Sequence, residues 1–195
     1  MPKYIVAFTG ASGVIYGVRL VGELLNRGFE VHLITSTAAR IVMEQELLWV
    51  FEASLEDTLR KYLPEGKLFF YANDAIASSI ASGSFLTDGM IIMPCTMATV
   101  SAVANGSSRN LLERAADVVL KEKRPFIMVP RETPLSSIHL KNMLTLSEMG
   151  VHIIPAMPAF YHQPQNIDDM VAFVVGKVLD AMHISHDIFK RYEQK

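Results

Sequence analysis

Short apolar runs rich in β-branched and aromatic residues punctuate the chain at residues 3–8, 30–34, 68–71, 90–93, 126–129 and 152–154. They are continuous rather than alternating, as strands covered on both faces are. Helical periodicity fills most of the intervals. Residues 14–27 put Val14, Val18, Val21 and Leu25 on one face and stop at Gly28, a residue suited to the left-handed helix cap. Residues 110–122 put Leu111, Leu112, Ala115, Val118 and Val119 on one face. Residues 135–149 and 167–182 form two further helices, the second opened by Asn166 as N-cap. Residues 50–85 are the least regular and read as a helix, a weak strand and a loop, and the pattern fades after His183. Strands alternating with amphipathic helices predict an α/β protein with a doubly wound parallel sheet and helices on both faces.

Length and composition narrow this picture. The 195 residues suit a single domain spanning 1–195, with the tail after about 183 peripheral. Such a chain buries roughly 70% of its unfolded surface and needs no covalent staples. One cysteine, Cys95, excludes an intramolecular disulfide framework and suits a reducing compartment. Half of the residues are hydrophobic and 19% charged, too apolar for disorder and consistent with either subunit interfaces or a large core. A net charge of −2 carries no electrostatic footprint for nucleic acid or anionic lipid. No apolar run reaches the roughly 18 residues of a membrane span, and the first residues enter a strand without a signal-peptide pattern. The expectation is a cytoplasmic protein.

In an open α/β sheet, ligands bind beyond the carboxyl ends of the strands, so the residues that follow each strand matter most. Thr9-Gly10-Ala11-Ser12-Gly13 follows the first run, Thr35-Ser36-Thr37 the second, and Pro94-Cys95-Thr96-Met97-Ala98-Thr99 the fourth. Pro130-Arg131-Glu132-Thr133-Pro134 follows the fifth, and residues 155–161 the sixth. Hydroxyl residues at strand-to-helix junctions are ordinary N-caps taken singly. At three junctions on one sheet edge they offer hydroxyls and free N–H groups suited to a phosphate. Gly10, Gly13 and Gly17 are spaced three and four apart, not as G-x-G-x-x-G, and no acidic residue closes the second strand to hold a ribose. A dinucleotide dehydrogenase is set aside in favour of a mononucleotide such as FMN.

Arg131 and Glu132 stand at the mouth of that edge, where a bidentate arginine can hold phosphate. Lys177 falls on the apolar stripe of its helix with Met170 and Val174, where it snorkels or meets an anion. Arg114 and Lys121 read as a solvated face, with Asp117 and Lys121 forming an i,i+4 pair. Asp168 and Asp169 complement the dipole of the helix they open. The six histidines form no ligand spacing, so no metal site is expected. Cys95, beside Met93 and Met97, reads as inert packing.

Five segments together resemble the flavin prenyltransferases of the UbiX type, a family also known as aromatic acid decarboxylases. They are TGASG at 9–13, Ser82-Gly83-Ser84, ERAADVVLKE at 113–122, VPRETPLSSIHLKNML at 129–144 and PAMPAFYHQPQ at 155–165. The resemblance runs from residue 3 to about 182. It implies a flavodoxin-like (Rossmann-like) sheet and a homo-oligomer, usually a dodecamer, with active sites built from neighbouring subunits. It implies transfer of the dimethylallyl group of dimethylallyl phosphate to N5 and C6 of reduced FMN, without metal. The prenylated FMN then serves a UbiD-type decarboxylase, in ubiquinone synthesis or aromatic acid breakdown.

Carried over residue by residue, the resemblance assigns Gly10, Ala11, Ser12, Ser36, Thr96, Met97, Ala98, Thr99 and Arg131 to FMN. It assigns Lys121, Arg131, Tyr161 and Lys177 to the prenyl phosphate, and Ser12, Glu46 and Glu132 to assisting proton transfer. Three positions depart from the family pattern: Lys177 replaces arginine and loses its bidentate fork, Arg191-Tyr192 stands where arginine precedes tryptophan, and Thr96 replaces serine. A flavin-dependent cysteine decarboxylase is the alternative enzyme, but its catalytic histidine and Asn/Met motif are not found in matching context. A non-catalytic FMN carrier would need one phosphate site, whereas Lys121, Arg131, Lys177 and Tyr161 suggest two. A phenolic acid decarboxylase in its own right would act without a UbiD-type partner.

Overall fold

The computed structural model describes residues 1–192 and shows a six-stranded parallel sheet in the order β3-β2-β1-β4-β5-β6. β1 (Lys3–Phe8) leads through α1 (Val14–Asn26) to β2 (Glu30–Thr35), and α2 (Thr37–Glu46) and α3 (Leu55–Tyr62) lead to β3 (Leu68–Ala72). The chain then crosses back past β1. A 3-10 turn at Ser79–Ala81 precedes β4 (Gly89–Cys95), α4 (Met97–Ala104) and α5 (Leu111–Lys121). β5 (Phe126–Pro130), α6 (Ser137–Glu148), β6 (His152–Ile153) and α7 (Ile167–Ala181) complete the fold. This is the doubly wound, flavodoxin-like α/β class, with its topological reversal between β1 and β4.

The central strands β2, β1, β4 and β5 bury both faces, as their continuous apolar character requires, while the edge strands β3 and β6 are partly exposed. Tyr4, Val6 and Phe8 of β1 face a core completed by α1, α2, α3 and α7. Ile5 and Ala7 face the opposite core, completed by α4, α5 and α6. The predicted stop of α1 is a paired-hydrogen-bond cap: Gly28 at φ 73° donates to Leu25 O at 2.8 Å, and Phe29 donates to Leu24 O at 3.1 Å. Asn166 caps α7 as expected, its side chain accepting from Asp169 N at 2.9 Å.

Three local expectations are revised. Asp117 and Lys121 do not pair: Asp117 accepts from Arg114 at 3.0 Å, and Lys121 pairs with its neighbour Glu122 at 2.6 Å. Both cations reach a nearer carboxylate than the one a full turn away. Lys177 does not lie within a narrow stripe, because Val171 through Gly176, Val178 and Leu179 are all buried and Lys177 projects from the flank that remains. Asp168 does more than complement a dipole, since it accepts from Arg19 of α1 at 2.9 and 3.1 Å. α6 forms but buries only Leu146, leaving Ile138, Leu140 and Leu144 exposed.

Candidate functional site

The carboxyl edge of the sheet gathers the predicted loops around the reversal between β1 and β4. Thr9, buried at the end of β1, ties them together. Its hydroxyl donates to Pro94 O at 2.8 Å and accepts from Thr96 N at 2.9 Å. The next junction joins on the other side, where Arg131 N donates to Cys95 O at 3.2 Å and Ala156 N donates to Pro130 O at 3.0 Å. The loops after β1, β4, β5 and β6 are thus laced into one floor by backbone groups.

Each helix that starts on this edge leaves its first N–H groups without an intrahelical partner. What happens to them differs. At α1, Glu46 reaches back from the end of α2 and its Oε2 accepts from Gly13 N at 2.9 Å and Val14 N at 3.2 Å. At α5, the backbone oxygen and the Oδ1 of Asn73 take Leu111 N at 2.8 Å and Leu112 N at 2.9 Å, while Asn110 caps Glu113 N. These two helix ends are closed. At α2, Ser36 caps only Ala39 N at 3.1 Å, and at α4 Thr96 caps Thr99 N at 3.2 Å and meets Thr99 Oγ1 at 2.9 Å. The first N–H groups of α2 and α4 therefore still face the edge. Met97 is buried, so its side chain belongs to the core and only its backbone can serve a ligand.

Gly10 lies pressed against α2: a Cβ there would stand 2.5 Å from that of Ala38, so the first loop cannot carry a side chain at that point. Ser12 is exposed beside it, and Glu132 accepts from Thr133 N at 3.0 Å. A cleft of about 770 Å³ opens beside Ser36 over the ends of β2 and β3, with Arg40 and Arg109 on its walls. A smaller hollow of about 70 Å³ is lined by Arg131, Glu132, Met143 and Met157. Arg131 is the decisive side chain. Its Nε is buried with no hydrogen-bond partner among the described residues. A buried donor on a charged group that lacks an acceptor is costly, which is the mark of a site built for a ligand. An orphaned guanidinium, open N–H groups on two helices and a glycine cradle together suit the phosphate and polar ring edge of FMN.

Cys95, at the centre of this floor, is fully buried, and burial pushes its thiol far up from the ordinary cysteine value. It packs rather than reacts, as expected. No cluster of metal-ligating side chains occurs among the described residues.

The cations assigned to the prenyl phosphate do not meet Arg131 within one chain. Lys121 ends α5, which runs antiparallel to the strands, so it lies at the amino edge of the sheet near Gly83. Lys177 lies ten residues into α7, a rise of about 15 Å from that helix's start. Its nearest carboxylate among the described residues is Asp180, at 3.9 Å. Tyr161 joins this second group: its ring packs edge-on against Phe173 at 5.8 Å and against Tyr192 at 5.6 Å. Thr9, Asn73 and Asp180 are organising residues that the sequence reading passed over. The position of Thr9 inside TGASG was the one available signal, because the other two act on residues distant in sequence or on the irregular tail.

A family model described as Flavoprotein matches residues 1–179. The chain is 48% identical to a flavin prenyltransferase UbiX of Halalkalibacterium halodurans, over 98% of this chain and 94% of that protein. Among solved structures, it is similar to a dodecameric FMN-dependent UbiX-like decarboxylase from Escherichia coli O157:H7. That match has a TM-score of 0.88 and 42% identity, covering 98% of this chain and 100% of the other. It is also similar to AnUbiX (PadA1) in complex with FMN and dimethylallyl pyrophosphate. There the TM-score is 0.90 and the identity 34%, covering 100% of this chain and 98% of the other.

Proposed function

The chain belongs to the Flavoprotein family and, within it, to the flavin prenyltransferases of the UbiX type, and on that footing we propose how its residues carry out the transfer. It acts as a single flavoprotein domain that prenylates reduced FMN with dimethylallyl phosphate. The observation that carries this reading is the buried, unpartnered Nε of Arg131 on a floor of hydroxyl-capped loops. Reduced FMN, when bound, supplies the nucleophilic N5 and C6 that take up the dimethylallyl group.

The protein's own contribution is placement and charge. Gly10, Ala11, Ser12, Ser36 and the loop from Thr96 to Thr99 hold the flavin, their open N–H groups and hydroxyls pointing to one edge. Breaking the carbon–oxygen bond of the donor leaves negative charge on the departing phosphate, so cations fixed around it stabilise the transition state. Arg131, Lys121, Lys177 and Tyr161 fill this role. Holding the donor carbon against the flavin converts a two-body encounter into a local one. Closing the ring adds a proton to the prenyl double bond and removes the one on C6, so a proton donor and an acceptor are both needed, roles that Glu132, Glu46 with Ser12, and the released phosphate share.

Because Lys121, Lys177 and Arg131 lie in three places on one chain, the donor site is completed by neighbouring copies. The dodecamer described for the E. coli relative supports such an assembly here, and the exposed Ile138, Leu144, Met157 and Phe160 supply apolar surface for it. We infer that the product passes to a UbiD-type decarboxylase. A cytoplasmic location accords with the single buried thiol, and no helix among the described residues is long and apolar enough to cross a membrane.

The test is anaerobic incubation of the protein with reduced FMN and dimethylallyl phosphate, or the diphosphate, followed by mass spectrometry of the released flavin. A flavin heavier by one dimethylallyl unit is the expected result. Unmodified FMN with both donors would leave a flavin carrier or a cysteine decarboxylase.

A further inference from the structure

Residues 183–192, after α7, have no regular secondary structure, yet they are firmly seated. Ile184 is buried, and Phe189 packs on Phe173 with ring centres 5.1 Å apart. Gly176, in the interior of α7, makes this possible. A Cβ at that position would stand 2.4 Å from two carbons of the Phe189 ring and 2.8 Å from His186 Cε1. Glycine weakens a helix interior relative to alanine, so close approach of the tail is its physical compensation.

Once Phe189 is seated, the chain returns over the exposed flank of α7. Arg191 donates to both carboxylate oxygens of Asp180, Nη1 at 3.1 Å and Nη2 at 2.8 Å. His186 Nε2 lies 3.1 Å from the same carboxylate, and Lys177 Nζ stands 3.9 Å from it. Tyr192 meets the ring of Tyr161. Asp180 therefore has Lys177 on one side and Arg191 on the other, in the patch that contains Tyr161. Among the described residues, one carboxylate faces two permanent cations. Both cations are about half exposed, and Asp180 engages only two of the five N–H donors of Arg191.

We propose that Arg191 is a further ligand of the donor's phosphate, and that Asp180 is the positioning residue that sets Arg191 beside Lys177. This rests on the reading of Tyr161 and Lys177 as donor-phosphate residues. A lysine supplies a point charge, and the planar guanidinium of Arg191 adds the forked donor geometry that Lys177 lacks. Gly176 is the device that makes the arrangement fit.

The experiment measures KM for dimethylallyl phosphate, and FMN affinity separately, in R191A, R191K, G176A, K177A and Y161F. R191A raises donor KM about tenfold or more, the value of a hydrogen-bonded charge, and leaves FMN affinity unchanged. R191K restores only part of the loss. G176A removes no charge and favours the helix, yet reproduces the R191A effect because the new methyl lifts Phe189 and the residues behind it. Faster tryptic cleavage at Lys190 and Arg191 in G176A verifies the displacement. An unchanged donor KM in R191A and G176A, while K177A and Y161F raise it, makes the tail a merely structural cover and overturns the inference. An unchanged KM in K177A and Y161F as well overturns the donor-site reading, and the inference falls with it.

Discussion

Two regions of this molecule gather ligand-directed residues, and they are held in opposite ways. At the carboxyl edge of the sheet, the loops around Thr9, Thr96 and Arg131 are fixed by hydrogen bonds to backbone groups that cross between neighbouring strands, with the buried Thr9 hydroxyl among the partners, and by caps at helix starts. On the flank of α7, Tyr161, Lys177 and Arg191 are arranged by side-chain ion pairs and ring packing from an irregular tail. The first site rests on buried bonds to main-chain groups at the ends of adjacent strands. The second depends on a few side chains, Tyr161, Lys177 and Arg191 with their shared partner Asp180. On the proposed function, the first region would bind the acceptor and the second would clamp the leaving group.

The sharpest break of this comparison is at Arg131. Its guanidinium makes no internal hydrogen bond among the described residues, and its Nε is left unpartnered. R131A therefore removes no bond from the fold. Turnover is expected to fall about 10²–10³-fold, as for loss of a charged group that stabilises a developing anion. The thermal midpoint should stay near that of the parent. Unfolding in place of lost turnover would show that Arg131 belongs to the scaffold.

Glu46 separates the two regions' logic within a single residue. Its carboxylate closes the start of α1, a structural task, and it is also assigned to proton transfer. E46Q keeps an acceptor for Gly13 and Val14 but cannot take a proton. A role in proton transfer predicts a fall in kcat on the order of 10²-fold. The accompanying stability change stays below about 1 kcal/mol, the usual worth of a charge at a helix start. Equal, mild changes in both would reduce Glu46 to a cap.

Much of the edge was legible because it is local. The apolar runs, the hydroxyl residues following them and the Gly28 cap are signals within a few residues of their effect. The helices α2 and α4 lacked such a signal. α4 is almost uniformly small and apolar, and α2 buries only Ala39 and Met43, so neither shows a contrast of faces. Contacts far apart in sequence were invisible for a different reason. Glu46 reaches a helix start 33 residues away, and Asn73 one 39 residues away, with no periodicity to announce either. The tail illustrates a third case. A lone glycine in α7 was in plain view, but its meaning requires knowing which ring lies over it.

T9V probes the rigid side. Without the hydroxyl, the N–H of Thr96 loses its partner and the buried carbonyl of Pro94 keeps only the longer bond from Thr9 N at 3.3 Å. A destabilisation of about 1–3 kcal/mol follows from the unmade bonds. Chemical denaturation measures it. FMN binding should weaken along with stability, because the same bond ties β1 to the loop from Thr96 to Thr99. Full stability in T9V would mean that the floor does not depend on this tie.

The smallest effect concerns how the tail responds to its surroundings. Asp180 is held below the usual carboxylate range, chiefly by its hydrogen bonds from Arg191, with the charges of His186, Arg191 and Lys177 adding and burial opposing. A depressed folded value means that the carboxylate's share of docking is complete above the unfolded pKa of about 3.8. That share is lost only as pH falls through the lower folded value. Between about pH 6 and pH 8 the pair should therefore hold the tail with constant strength. Salt acts where pH does not, because exposed ion pairs are screened as the Debye length shortens from about 10 Å at 0.1 M to 3 Å at 1 M. Hydrogen exchange over residues 184–192, corrected for intrinsic rates, should show protection that falls modestly with salt and stays level with pH in this range. Protection of the carboxyl-edge loops should respond to neither. Protection that does not respond to salt would instead make the packing of Ile184 and Phe189, and not the pairing of Asp180 with Arg191, what seats the tail.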